Sequence, residues 1–293
     1  MRVASLSPGW RTDFILHHLD AEVREFADCI AVRTRSSPTF YWGNFLLLRE
    51  SPTDDDLALW LQRFDSLIAA GCPEVQHVAI GMDTDRNELM LPAWKAAGFD
   101  CTDLVQLSLA PAGLIAPRRG ARDQVQVQVN VQVRPIDLAT EVERLLDVQC
   151  ASNDGFEPIG YRHHRRGQLQ RFATLATRGQ AEWFGLWCDG QLAADCGLMR
   201  ERGTALGRFQ HVSTHPAWRR RGLCSALVHA VCAWGFEHWG LQQIAMCADA
   251  DDVALGIYES LGFQASGAHW VLERRAPHDV AVAAAEPPTP LRD

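Results

Sequence analysis

Three consecutive arginines, Arg219, Arg220 and Arg221, stand directly before Gly222 and the run Leu223-Cys224-Ser225-Ala226-Leu227. Guanidinium groups meet phosphate oxygens through two parallel hydrogen bonds. A helix start adds unpaired backbone N–H groups and the positive end of the helix dipole. Gly222 has no side chain, so a bulky anion can come close to the backbone there. An apolar, strand-like run at 209–214 and Pro216 precede the turn, and residues 219–225 read as a pyrophosphate cradle. Two plainer readings stay open at this point: a solvated basic turn and a nucleic-acid patch. A formal net charge of -8 and the shortness of the basic run count against nucleic acid.

The elements that must hold this turn are legible in the spacing. Leu223, Ala226, Leu227, Ala230, Val231 and Trp234 recur every three or four residues and give one apolar helix face. Residues 241–247 suit a short strand. A second helix is expected from about residue 252, with Asp251 as cap, Val253, Ala254, Ile257 and Leu261 as its stripe, and Gly262 as its stop. A last strand is expected near 269–272. Upstream, 131–135 alternates as a strand, and 138–150 and 165–176 suit helices. The runs 181–188 and 192–199 flank Asp189-Gly190, a hairpin step in which both residues must accept positive φ. The expected class is α/β with a mixed sheet.

In this order the segment resembles the core of the GNAT superfamily of acyl-CoA-dependent N-acetyltransferases. Arg219, Gly222 and Cys224 fall on the three defining positions of that family's cofactor-loop pattern, Q/R-x-x-G-x-G/A, with a thiol at the last. Asp251, Ala254, Tyr258, Gly262 and Phe263 match its second pattern, N-x-x-A-x-x-x-Y-x-x-x-G-F, with aspartate for asparagine, about forty residues further on. The resemblance covers roughly residues 131–274. It implies the GNAT-type acyltransferase fold and acetyl-CoA as co-substrate, with no metal. It further implies that the pantetheine arm pairs with the backbone of Val212 and Thr214, and that a backbone N–H near Val212 stabilises the oxyanion. The pyrophosphate would sit on Arg219, Arg220, Arg221, Gly222, Leu223, Cys224 and Ser225, with Asp251 joining the cofactor set.

The implied reaction is attack of an amine, on a small molecule or a peptide, at the thioester carbonyl, with loss of coenzyme A thiolate. Tyr258 is the candidate leaving-group acid. Its reference pKa of about 10 against about 8.5 for a thiol makes full transfer uphill by about 2 kcal/mol, so it would donate a strong hydrogen bond more than a whole proton. The competing reading is a core aromatic. An alkylamine is neutral in only about one molecule per thousand at pH 7, so deprotonation adds about 4 kcal/mol unless the site assists. His211 has a suitable pKa for that task. Strand alternation, however, sets it on the opposite face from Arg208 and Gln210, where a buried, hydrogen-bonded histidine is the alternative. Asp195, Asp154, Glu157 or a water chain without a dedicated base remain open. His163 and His164 are adjacent on a helix, point apart, and read as a solvated helix start. A different function class, a non-catalytic acyl-CoA sensor or interaction module, would keep the cradle without turnover.

A chain of 293 residues has room for two domains, and the N-terminal half echoes the C-terminal one. A strand at 75–82 and a helix at 87–97 end in Gly98-Phe99, and aligning Gly98 with Gly262 sets Trp94 where Tyr258 stands. A strand at 45–49 and a helix at 55–69 meet at Ser51-Pro52-Thr53-Asp54-Asp55-Asp56, where the aspartates would repel a pyrophosphate. This half reads as a degenerate second copy, against the alternative of a chance helix ending in Gly-Phe. The expected organisation is a degenerate GNAT-like domain at 1–115, a linker at 116–130, the catalytic domain at 131–275 and a disordered tail at 276–293. Nine cysteines without a Cys-x-x-Cys pair suggest reduced thiols and argue against a zinc site. No apolar run approaches a membrane span and the N-terminus lacks a signal core, so a soluble, cytoplasmic protein is expected. The oligomeric state is not legible.

Overall fold

A computed structural model of the protein describes residues 1–84, 89–117, 130–153, 158–249 and 253–277. The expected tail from 278, most of the expected linker, and the candidates Asp154, Glu157 and Asp251 lie outside the described residues. The chain forms α1 (Pro8–Asp20), β1 (Glu22–Glu25), β2 (Cys29–Arg33), β3 (Asn44–Leu48), α2 (Leu57–Phe64), β4 (Val78–Thr84), α3 (Pro92–Ala96) and β5 (Asp100–Leu109). It continues through β6 (Val131–Pro135), α4 (Val142–Ala151), α5 (Pro158–Thr177), β7 (Ala181–Cys188), β8 (Gln191–Arg200) and β9 (Leu206–Thr214). It closes with α6 (Leu223–Trp239), β10 (Gln243–Asp249), α7 (Val253–Ser260) and β11 (Gln264–Arg274). Two compact units result: Met1–Leu104 together with the chain from Gly267, and Val105–Ser266.

In the first unit the strands run in the order β1-β2-β3-β4-β11. β3 and β4 are parallel and joined by a crossover through α2, and the other neighbours are antiparallel. Leu46, Leu48, Ile80, Met82, Trp60, Phe64 and Trp94 form one core cluster, and Trp270 and Leu272 of β11 belong to it. The last strand is therefore packed with the N-terminal unit, and the domain end read at 275 places it differently. Conversely, Leu107 and Leu109 of β5 are buried in the core of the second unit, although the expected first domain ran to 115. Periodicity shows that a strand has a face to bury but not which core receives it.

In the second unit the order is β5-β10-β9-β8-β7-β6. β6 to β9 are antiparallel neighbours, and β9 runs parallel to β10 through the crossover helix α6. Trp183 meets Phe172 of α5 with ring centroids 4.6 Å apart, while its neighbour Phe184 meets Trp234 of α6 at 5.0 Å. Successive strand residues point to opposite faces, so α5 and α6 cover opposite faces of this sheet. The β7–β8 hairpin turns through Asp189 at φ 49° and Gly190 at φ 81°, as the Asp-Gly step requires.

α7 is stopped by Gly262 at φ 98°. The segment after β5 crosses here: Ile115 N–H donates to the Leu261 carbonyl at 2.9 Å. A Cβ on Gly262 would stand 1.9 Å from the Gly113 carbonyl oxygen, whereas one on Gly256, inside α7, meets nothing within 4 Å. Gly262→Ala should therefore cost about 3 kcal/mol, from a backbone clash added to a left-handed φ. Gly256→Ala should gain up to about 1 kcal/mol through helix propensity. Denaturant midpoints of the two variants check both signs.

Candidate active site

The register of β9 carries the site. Gln210 pairs with Gly197 and Val212 with Cys196, which leaves His211 as an extra residue in a β-bulge, at φ 50°. On its other edge β9 pairs with β10 only through Leu206, Gly207 and Arg208, opposite Gln243, Ile244 and Ala245. β9 continues to Thr214 and β10 to Asp249, but no further ladder joins them among the described residues. Two parallel strands that stop pairing leave backbone N–H and C=O groups able to pair with an extended, amide-bearing ligand.

The arginine turn lies at the end of that edge. A short 3₁₀ turn, Pro216–Trp218, follows Thr214 and is capped by the His215 ring, whose Nδ1 accepts from Ala217 N–H at 3.2 Å. Arg219 Nε donates to the Thr214 carbonyl at 3.2 Å, and the Arg221 guanidinium lies 4.8 Å from the Trp218 ring centroid. Arg220 is left-handed at φ 60°, and so is Gly222 at φ 71°. A non-glycine residue in that region costs about 1–2 kcal/mol, and turns of this kind gather successive N–H groups into an anion-binding concavity. Gly222 is also the N-cap of α6 and, as a glycine, contributes no side-chain cap to that helix start. Leu223 is buried and anchors the helix, while Arg219, Arg220 and Arg221 are exposed. Tyr258, on α7, is buried in the core on the α6 side, with its ring 6.0 Å from Phe263, which in turn is 6.3 Å from Phe209 of β9.

The opposite face of the bulge holds a buried polar cluster. Asp195 of β8 is fully buried. Its Oδ1 accepts from Gln149 Nε2 at 2.8 Å and from Trp183 Nε1 at 3.1 Å, and its Oδ2 accepts from Ser213 Oγ at 2.6 Å. Gln149 Oε1 accepts in turn from Nε of Arg165, a buried residue of α5, at 3.0 Å. Burial pushes the Asp195 carboxyl up to about 6, against the pull of its three donors and of Arg165. His211 belongs to this cluster, with its ring centroid 6.3 Å from that of Trp183. Trp183, Gly197 and Gln210 are register partners on one face, so His211 shares the face of Gln210. The alternation expected from the sequence fails at this residue because a bulge inserts one position into the period of two. Burial and the Arg165 charge hold His211 down at about 3, so the ring is neutral at pH 7 and is a poor proton acceptor there. Gln149, Arg165, Trp183 and Ser213 carry no mark in the sequence that assigns them to this cluster. The one signal was Asp195 itself, a charged residue amid Leu192-Ala193-Ala194 and Cys196-Gly197-Leu198.

Among the described residues no group of His, Cys, Asp and Glu side chains could hold a metal ion, and no helix is long and apolar enough to cross a membrane. Residues 179–265 match the acetyltransferase (GNAT) domain family. No curated protein matches the sequence. A functionally unknown conserved protein from Staphylococcus epidermidis superposes with a TM-score of 0.68 at 13% identity, over 90% of this chain and 97% of its own. A GCN5-related N-acetyltransferase from Kribbella flavida gives 0.63 at 12% identity, over 92% and 95%. A tandem GNAT protein from the clavulanic acid biosynthesis pathway gives 0.55 at 14%, over 85% and 78%. These solved structures establish the fold, and the acetyltransferase assignment rests on the matched segment, residues 179–265. The stretch that matches the GNAT domain runs from just before β7 through the arginine turn and α7 to the first residues of β11.

Asp195 binds its proton more tightly in the folded protein than its ordinary value of 3.8 allows. Its contribution to stability is therefore complete below about pH 4 and is lost as pH rises through about 6. Asp195→Asn carries no charge at any pH. The stability of the wild type relative to this variant should fall by about 2 kcal/mol between pH 4 and pH 7. Denaturant unfolding of both proteins at the two pH values measures the difference, and a gap that does not change would contradict the assignment.

Proposed function

We propose that the protein moves an acetyl group from acetyl-CoA to a primary amine on a small molecule or peptide, by direct attack within the Val105–Ser266 unit. The observation that carries this reading is the open edge of β9, which ends at a left-handed arginine turn and a helix start with glycine at its N-cap. An extended amide-bearing arm fits the edge at Val212 and Thr214, and a pyrophosphate fits the turn at residues 219–225. The N–H beside the bulge, at Val212, would face the thioester oxygen as negative charge develops there. Tyr258 would donate to the departing sulfur. Of the two titratable groups beside the bulge, Asp195, at about 6, is matched to neutral pH and His211, at about 3, is not. The amine proton would pass by the Ser213 hydroxyl to Asp195. In this reading His211 serves as a neutral hydrogen-bonding ring and not as the base.

The first unit is read as a degenerate, silent copy. Its parallel pair β3 and β4 stays in register to the last residue of β3, with Leu48 opposite Met82. The aspartates at its strand–helix junction satisfy local backbone groups: Asp56 closes a capping box with Thr53, and Asp54 accepts from Ala93 N–H at 3.1 Å. Trp94, at the place of Tyr258, is fully buried and donates to the Thr53 carbonyl at 3.0 Å.

Saturating acetyl-CoA should raise the melting temperature of the wild type by about 5 °C or more, as binding to the folded state alone predicts. Gly222→Glu, which sets a charged side chain on a left-handed residue inside the cradle, should abolish the shift in differential scanning fluorimetry. A wild type that acetyl-CoA does not stabilise would overturn the proposal. Tyr258→Phe should lower kcat by about ten- to a hundredfold with little change in the KM for acetyl-CoA. Thiol release over an amine library reads this directly and separates an enzyme from an acyl-CoA sensor, which would bind but release no thiol.

A further inference from the structure

Arg165 is buried, yet no carboxylate forms an ion pair with it among the described residues. Its Nε is bound to Gln149 and its Nη1 to Gln168, both uncharged. Its Nη2 is closed off from solvent and has no hydrogen-bond partner. The same is true of Nε2 of His211, the bulge residue, on which the Arg165 charge acts. Burying a cation without a paired anion costs several kcal/mol, and each unmet buried donor about 1–3 kcal/mol. Folded proteins rarely keep such groups unless something else meets them. Asp195 attracts Arg165 across Gln149 but does not pair with it directly, and its oxygens already accept from Ser213, Gln149 and Trp183. The same Gln149 amide that donates to Asp195 accepts from Arg165, so the network fixes the guanidinium with one nitrogen uncommitted.

We infer that Nη2 of Arg165 and Nε2 of His211 form a carboxylate-binding subsite, so that the acceptor amine arrives on a molecule that also bears a carboxylate, as an amino acid does. The inference rests on the acyl-transfer reading, because it places that carboxylate beside Val212, where the thioester carbonyl would lie. A carboxylate supplies what these two nitrogens lack: a negative charge in direct contact with the guanidinium and acceptor oxygens for two donors, the imidazole meeting it in the neutral form protonated on Nε2. An uncharged ligand would leave the guanidinium without a directly paired anion.

Propionate and its uncharged isostere propionamide, titrated separately into the protein by calorimetry, test the subsite without knowledge of the natural acceptor. The wild type should bind propionate at least about tenfold more tightly than propionamide, a preference typical of a site built around one charged partner. Arg165→Gln should remove that preference. Arg165→Lys, which keeps the charge but not the planar fork, should recover only part of it. Melting curves report whether each variant is folded, and if Arg165→Gln is not, the Arg165→Lys result decides. Equal affinity for the two ligands, no detectable propionate binding by the wild type, or an unchanged preference in the folded variants would overturn the subsite. Stabilisation by acetyl-CoA is scored in parallel. If it persists while propionate discrimination is absent, only the subsite falls; if it is absent from the wild type, the acyl-transfer reading falls as well.

Discussion

At His211 the register of β9 against β8 shifts by one residue, and this shift sets what each side of the strand can do. Up to Gln210 the strand alternates in step with β8; beyond the bulge Val212 turns toward the α6 side and Ser213 toward the α5 side. Because strand side chains alternate with a period of two, removing the extra residue would exchange these roles. Ser213 could then no longer reach Asp195, and Val212 would leave the apolar core. Among the described residues the same strand pairs with β10 at only three positions, so next to the bulge one edge carries no ladder while β8 holds the other. Rigid support on one side and an open edge on the other is what a site for an extended co-substrate requires.

The buried polar cluster on the α5 face depends on that geometry. Asp195, Ser213 and Trp183 come from three adjacent strands, Gln149 from α4 and Arg165 from α5. No pair of them is close in sequence, and each is satisfied by another, with the exceptions at Arg165 Nη2 and His211 Nε2. A buried network of this kind is costly when incomplete and specific when complete. The opposed shifts of Asp195, upward, and His211, downward, share one cause, burial that disfavours charge on either group.

The first unit shows what the same plan looks like without these features. It too has a strand, a crossover helix and a parallel strand. There β3 has no bulge against β2, its ladder with β4 runs to its end, and the junction carries aspartates engaged in capping. An acidic helix start satisfies its own N–H groups and presents no positive end to an anion.

What the sequence by itself determined is local. The Asp189-Gly190 hairpin, the apolar stripe of α6 and the stop at Gly262 follow from conformational preferences and periodicities confined to a few residues. The acyl-CoA family resemblance rested on two such local patterns. The tertiary structure alone decided which face His211 occupies, since a bulge is settled by how two strands align and not by either strand. It alone brought Gln149 and Arg165 to Asp195, and it decided that β11 packs with the N-terminal core while the end of β5 packs with the other. Those outcomes depend on which distant segments meet, and spacing along one chain carries no record of that.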